Sequence, residues 1–122
     1  MVDDLYENIG GSKTIVKLVS VFYDKVTAAP RLSRFFGQAD METLHSRQVM
    51  FLTMLFGGSR TFSGRDLVTA HASSRQQGLE DAHFDELLGL FRASLLEVGV
   101  APGYAEQAMN RLEASRDAVL GR

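Results

Sequence analysis

Apolar residues recur at steps of three and four positions along almost the whole chain, and no other feature of the sequence restricts its fold so strongly. The clearest run comprises Ile15, Val16, Leu18, Val19, Phe22, Tyr23 and Val26. This spacing collects apolar side chains on one side of an α-helix. No stretch shows sustained alternation of apolar and polar residues between hairpin turns, as a half-buried strand would. The sequence therefore predicts an all-α protein.

Glycines and prolines divide the first part of this pattern into separate helices. Residues 5–9 are predicted to form a short opening helix. Gly10-Gly11 interrupts it, because two adjacent glycines make continuation of a helix costly and a sharp turn easy. Ser12 is the predicted N-cap of a long helix that ends before Pro30.

A corner and a second long helix are predicted next. Residues 31–37 hold three large apolar side chains in too few residues for an independent helix. Asp40 is the predicted N-cap of a helix that stops at Gly57-Gly58. One stripe of this helix carries Met41, Leu44, Gln48, Phe51, Leu52 and Leu55. Because burying an amide without a partner costs about 1–3 kcal/mol, Gln48 requires a hydrogen-bond partner or a polar cavity beside it.

The second half of the chain repeats this organisation. Residues 63–66 resemble a capping box for a short amphipathic segment that carries His71. Asp81 is the predicted N-cap of another long helix, which Gly99 closes, and Pro102 suits the first turn of the last helix. The inner face of that last helix is predicted to carry Tyr104, Ala108, Met109, Leu112 and Val119.

Composition excludes several classes of protein. With 122 residues and neither a linker nor a repeat, the chain is predicted to form one domain over residues 1–122. The net charge of -2, without a basic run, argues against nucleic acid and anionic membranes as partners. The absence of cysteine excludes disulfides, thiolate metal sites and cysteine nucleophiles. Because neither a secretory signal nor a membrane-length apolar run occurs, the predicted location is cytoplasmic.

Three side chains carry most of the potential chemistry. The histidines show no chelating pair at helical spacing, so a zinc site made by the protein alone is not expected. A lone histidine is usually a structural residue, but a haem needs only one protein ligand, and His71 could supply it. Tyr23 is either a core tyrosine bonded to a carbonyl or a donor to a ligand. With Gln48 it would offer two donors to a small, partly negative ligand such as dioxygen.

Nine blocks in register carry a resemblance to a known family over almost the whole chain. They are Leu-Tyr-Glu-Asn-Ile-Gly-Gly (5–11), Phe-Tyr-Asp-Lys-Val (22–26), Pro-Arg-Leu-Ser-Arg-Phe-Phe (30–36), Asp-Met (40–41), Arg-Gln-Val-Met-Phe-Leu (47–52), Phe-Gly-Gly (56–58), Ser-Gly-Arg-Asp-Leu (63–67), Ala-His (70–71) and Ala-His-Phe-Asp (82–85). In this order they resemble the truncated haemoglobins, and most closely the first group of that family. The resemblance implies a two-over-two helical sandwich around haem b.

The resemblance also assigns roles to particular residues. It implies that His71 is the iron ligand, that Phe36 stacks on the porphyrin, and that Tyr23 and Gln48 form the distal hydrogen-bonding pair. Leu44 takes the position where other globins have a distal histidine. The remaining positions implied to contact the haem are Arg47, which matches a position near the propionates, and the pocket-lining residues Phe51, Leu52 and Phe84.

The chain departs from the family pattern at three places. Phe62 stands where the family often has a tyrosine, so any hydrogen bond from that tyrosine is lost. The stretch between His71 and His83 is somewhat longer than the commonest pattern. His45 is unusual at its position, and a helix phase that turned it toward the iron would make it a sixth ligand in the absence of gas.

These expectations define a leading function and two alternatives. The leading hypothesis is reversible binding of dioxygen, and also of nitric oxide and carbon monoxide, at ferrous haem iron. The first alternative is enzymatic oxidation of nitric oxide to nitrate, which requires a reductase partner. The second is a helical interaction module without haem. Both a monomer and a weak dimer are compatible with the sequence.

Overall fold

The described part of the chain is built of helices joined by turns. The structure is a computed structural model that describes residues 5–36, 40–57, 75–76 and 78–121. Its helices are α1 (Leu5–Asn8), α2 (Gly11–Thr27), α3 (Pro30–Ser33), a 3-10 turn (Arg34–Phe36), α4 (Met41–Gly57), α5 (Asp81–Glu97), α6 (Pro102–Glu113) and α7 (Arg116–Leu120). Within these ranges there is no strand, which confirms the all-α prediction. None of the described helices has both the length and the apolarity to cross a bilayer.

Two pairs of long helices enclose the main core. Helix α2 packs against α4 and also against α5, while α5 packs against α6, and α6 reaches back to α4 and α1. The apolar stripes of these helices meet in one cluster, as the helical periodicity predicts. The side chains that are fully removed from solvent include Phe56, Leu5, Ile15, Leu18, Leu32, Leu52, Leu95 and Val26.

The turn before α2 depends on glycine at position 10. Gly10 has a φ of 116°, in the left-handed region, and a Cβ atom there would lie 2.1 Å from Oγ1 of Thr14. Any other residue would therefore be strained and would clash. The prediction that Ser12 is the N-cap was wrong, because this turn lets the helix begin at Gly11 and places Ser12 inside its first turn.

The start of α4 agrees with the sequence-based prediction. Asp40 Oδ1 accepts a hydrogen bond from the backbone N–H of Glu42, and Oδ2 accepts one from the Thr43 hydroxyl. These bonds satisfy a donor that the helix itself cannot pair. They also hold the pKa of the Asp40 carboxyl below its usual value, the Thr43 bond being the main cause. Asp40 is thus confirmed as the cap of the helix that carries His45 and Gln48.

The N-cap of helix α5 lies one residue before the predicted cap. Glu80, rather than Asp81, is the N-cap, and its side chain forms a capping box with His83, whose Nδ1 accepts from the Glu80 N–H at 3.2 Å. The prediction for Asp81 was wrong because an extended Glu80 can serve the same first turn. The predicted end is confirmed, since Gly99 has a φ of 91° and the Val100 N–H donates to the Leu95 carbonyl.

The C-terminal part differs from the single predicted helix in two ways. Pro102 does start α6, but the chain breaks at Ala114 and Ser115 before a separate α7 begins at Arg116. The Ser115 hydroxyl and its N–H both bond to the Leu112 carbonyl, which closes α6. The prediction that Tyr104 lies on the inner face was wrong, because its side chain, in the first turn of α6, is 36% exposed.

An arginine from α6 closes the end of α4. Arg111 Nη1 donates to the carbonyl oxygens of Leu55 and Phe56, at 3.0 and 2.6 Å. Carbonyls in the last turn of a helix have no partner within the helix, and a cation there also meets the negative end of the helix dipole. Arg111 therefore links the helix that carries His45 and Gln48 to the opposite helix pair.

We expect Arg111→Met to lower the free energy of unfolding by about 1–3 kcal/mol, because methionine keeps the packing of the aliphatic stem but leaves two carbonyls unpaired. Urea unfolding followed by circular dichroism would measure the change. Arg92→Met is the matched control, since Arg92 forms an exposed ion pair with Glu106 and its loss should cost less than about 1 kcal/mol. Equal losses in the two variants would contradict a role for Arg111 as a cap.

Candidate functional site

A cluster of aromatic side chains surrounds Tyr23 where α2, the 3-10 turn and α4 meet. The Tyr23 ring stands nearly perpendicular to that of Phe36, with centroids 5.7 Å apart, and edge-on to that of Phe22 at 5.4 Å. His45 stacks on Tyr23 with an interplanar angle of 24° and a centroid distance of 5.0 Å. The fold thus brings together three of the residues singled out from the sequence, from three separate elements.

Tyr23 lies in a largely apolar environment. It sits on the buried stripe of α2, and only 5% of its surface is exposed. Burial disfavours the phenolate and raises the pKa of Tyr23 to about 12. The side chain is therefore a neutral phenol at any physiological pH, and it can donate a hydrogen bond but cannot act as an anionic ligand.

His45 contributes a buried polar atom next to this phenol. Its Nε2 is shielded from solvent and has no hydrogen-bond partner among the described residues. A buried polar group without a partner costs about 1–3 kcal/mol, and such groups are usually satisfied by a ligand or by water when the chain offers nothing. One polar atom thus lies in the otherwise apolar interior between α2 and α4.

The two sides of α4 differ in burial. Leu52 and Phe56 are fully buried, whereas Leu44, Gln48 and Phe51 are only half-buried. The half-buried side chains recur at steps of four and three, so they form one continuous face of the helix. Arg47, in contrast, is exposed. This partly open face combines apolar side chains with one amide.

Phe84 lies apart from the main core. It is buried against Val119 of α7, and Phe51 of α4 also packs on this pair. The Arg116 guanidinium lies over the Phe84 ring at 4.7 Å and bonds to Asp81, Asp85 and Glu113. These bonds hold the pKa of Arg116 above its usual value and, through Arg116, that of Glu113 below it. Arg116 thus fixes Phe84 by joining α7 to the start of α5.

Comparison with known proteins identifies the family. A family model described as "Bacterial-like globin" matches residues 4–120, almost the whole chain. This chain belongs to the bacterial-like globins. Because globins are haem proteins, membership implies a haem cofactor in a protein of this fold.

Relatives and solved structures specify the branch of the globin family. A group 1 truncated hemoglobin from Tetrahymena pyriformis is 34% identical over 118 residues, which cover 97% of this chain and 95% of that protein. One from Synechocystis sp. is 36% identical over 97 residues, 79% of this chain and 78% of that protein. The 2/2 hemoglobin of Synechococcus sp., solved in the cyanomet state with covalently attached heme, has a TM-score of 0.90 at 33% identity, covering 98% of this chain and all of that one.

These similarities confirm the predicted family and its two-over-two arrangement of helices. The structure of Tetrahymena pyriformis truncated hemoglobin in the Fe(III) form gives the same result, with a TM-score of 0.86 at 33% identity over 98% of this chain and all of that one. In this globin, the pairs α2 with α4 and α5 with α6 correspond to the two layers that the resemblance implies.

The described residues of this globin fit a haem. A flat apolar cofactor would cover the half-buried face of α4, and its ligand side would meet the neutral phenol of Tyr23 and the amide of Gln48. Phe36 is half-buried, and its ring contacts that of Tyr23. The exposed guanidinium of Arg47 suits a position where a charged cofactor edge meets solvent.

Several sequence-based predictions fall outside the described residues. His71, the predicted iron ligand, Phe62, the site of a family departure, and the predicted capping box at residues 63–66 all belong to residues 58–74, so the roles assigned to them stay predictions. The prediction that His45 is a sixth iron ligand is likewise untested.

Two residues that support the site were missed by sequence reasoning. Arg111 and Arg116 look like ordinary solvent charges on a helix, yet one caps α4 and the other fixes Phe84. The sequence offered one signal, their place within the helical pattern of residues 102–120, and the structure shows that both are half-buried. Their partners lie more than 30 positions away in the sequence, except for Glu113, and no local pattern indicates them.

Proposed function

We propose that this globin holds haem b against the half-buried face of α4, with His71 as the protein ligand of the iron, and that it reversibly binds dioxygen, and also nitric oxide and carbon monoxide. Membership of the globin family is the observation that carries this proposal. The aromatic and polar cluster around Tyr23 supports it, because a core that never met a polar ligand would have no use for the polar groups of that cluster.

Each residue of the candidate site has a distinct role. A bound haem would supply the ferrous iron that these gases bind and the electron density that makes dioxygen partly negative. Tyr23 donates a hydrogen bond to the gas ligand, and the Gln48 amide adds a second donor. Leu44 keeps the neighbouring position apolar, which excludes water. Phe36, Phe51 and Phe84 would form the walls of the pocket, the fully buried Leu52 would lie behind the half-buried face of α4, and Arg47 would pair with a propionate.

The protonation state of Tyr23 favours dioxygen among the gases. A neutral phenol stabilises partial negative charge, and its buried hydroxyl does so without competition from bulk water. Carbon monoxide carries less charge and gains less from the same donor. The oxidation of nitric oxide to nitrate with a reductase partner stays a prediction from the sequence, and so does the monomer or weak dimer.

The decisive experiment compares absorption spectra of the haem-reconstituted protein with those of His71→Gln and His83→Gln. The native chain should take up one haem, show a strong Soret band, and shift that band on reduction and on addition of carbon monoxide. His71→Gln should lose or alter these features. His83→Gln should keep them, because His83 caps α5 and glutamine suits the same position of a capping box. Absence of stoichiometric haem uptake would contradict the proposal.

A further inference from the structure

The Tyr23 ring is held on several sides, and one of its contacts comes from an unusual residue. Phe22 and Phe36 meet it edge-on, while the His45 imidazole lies nearly parallel to it, at 24° and 5.0 Å between centroids. Offset-stacked aromatic pairs of this kind are favourable beyond the burial of their surface. This contact joins α2 to α4 directly at the candidate hydrogen-bond donor.

The position of His45 on α4 decides which side of the helix it serves. With 3.6 residues per turn, His45 lies about 20° from Leu52 and about 100° from Leu44 around the helix axis. Leu52 is fully buried, whereas Leu44 belongs to the half-buried face that a haem would cover. Together with the stack on Tyr23 of α2, this places the His45 ring on the side of α4 that faces α2, so His45 touches the site through Tyr23.

His45 contacts Tyr23 through the face of its ring and not through Nε2. Nε2 has no hydrogen-bond partner there, while the face of the imidazole covers the phenol ring of Tyr23. The phenol cannot tilt toward α4 without displacing this ring. Stacking thus restricts the direction in which the Tyr23 hydroxyl can point.

We propose that His45 is a positioning residue: by stacking on Tyr23 it fixes the phenol so that its hydroxyl meets the gas ligand, and it does not itself bind the iron. This inference rests on the proposed function, because it assigns a role at the same site. Its consequence is that the influence of His45 on gas binding passes entirely through the Tyr23 hydroxyl.

The test is a double-mutant cycle on the rate of dioxygen dissociation in the haem-loaded protein. His45→Leu should raise this rate by about threefold to tenfold in the native background and leave it unchanged in the Tyr23→Phe background. His45→Phe should restore a rate close to the native one, since it keeps a stacking ring without the nitrogen. Ser46→Leu, which places the same leucine at an exposed position of α4, should have no effect.

A second readout reports on the hydrogen bond itself. The infrared stretching band of bound carbon monoxide in His45→Leu should shift toward its position in Tyr23→Phe, because both changes weaken the donation from the phenol. A purely structural role for His45 would lower stability but would leave this band in place, and that result would contradict the proposal.

Other outcomes would also overturn it. Equal effects of His45→Leu in the two backgrounds would show that His45 does not act through the Tyr23 hydroxyl. A His45→Phe variant that behaves like His45→Leu would show that the nitrogen rather than the stack matters. A six-coordinate ferrous spectrum without gas that becomes five-coordinate in His45→Leu would instead make His45 a sixth ligand. Each of these results leaves haem binding intact and removes only this inference, whereas failure to take up haem removes the proposed function as well.

Discussion

Tyr23→Phe is expected to raise the rate of dioxygen dissociation by about tenfold to one-hundredfold, because a hydrogen bond to a charged group contributes about 1.5–3 kcal/mol. The substitution removes one hydroxyl from a ring that is held by Phe36 and His45, so the fold should be preserved. Stopped-flow or flash photolysis of the ferrous protein would measure the rate. Carbon monoxide dissociation should change much less, since that ligand carries less charge.

The same prediction includes a dependence on pH. Because the folded pKa of Tyr23 is about 12, above the ordinary value of about 10, donation from the phenol should stay constant between about pH 6 and pH 9. The phenol of Tyr23 holds its proton to a higher pH in the folded state than in the unfolded chain. Its contribution to the free energy of unfolding is therefore complete below about pH 10 and is lost as the pH rises toward about 12.

Tyr104→Phe, at a residue that is 36% exposed, is the control for the dissociation rate. A dissociation rate unchanged in Tyr23→Phe would exclude Tyr23 as the donor.

Phe56→Ala should have the largest effect on stability of any change described for this globin, a loss of about 3–5 kcal/mol. Phe56 is the largest side chain that is fully buried, and it lies at the end of α4 where Arg111 bonds its carbonyl. Removing the ring leaves a cavity between α4 and its neighbours that rigid helices cannot fill by small shifts. Urea unfolding of the haem-free and haem-loaded protein would measure the loss.

Met50→Ala is the matched control for this prediction, because Met50 lies on the same helix and is 56% exposed. A surface change of this kind should alter the free energy of unfolding by no more than about 0.5 kcal/mol. Similar losses in the two variants would mean that Phe56 is not part of the cooperative core.

Much of the fold could be predicted from local sequence because helices depend on local patterns. The apolar stripe between Ile15 and Val26 is sufficient to indicate α2, and Asp40 is a sufficient signal for the start of α4. Local patterns were less reliable where two neighbouring residues could serve as the cap. Glu80 precedes Asp81, and only the tertiary path of the chain determines which of them is extended.

The candidate site required more than local patterns. Tyr23, Phe36 and Gln48 lie on separate elements, and their common role was implied by a family resemblance over most of the chain rather than by spacing. The residue types were nonetheless informative, because a tyrosine and a glutamine on apolar helix faces require polar partners.

The sequence by itself therefore determined the helices, the family and the identity of the polar residues on buried faces, because each of these is encoded in short-range periodicity or in residues that align with relatives. Only the tertiary structure decided that His45 stacks on Tyr23 and that Arg111 caps α4. The reason is physical: such contacts depend on the distance and rotation between packed helices, which arise from the whole core and not from any single segment.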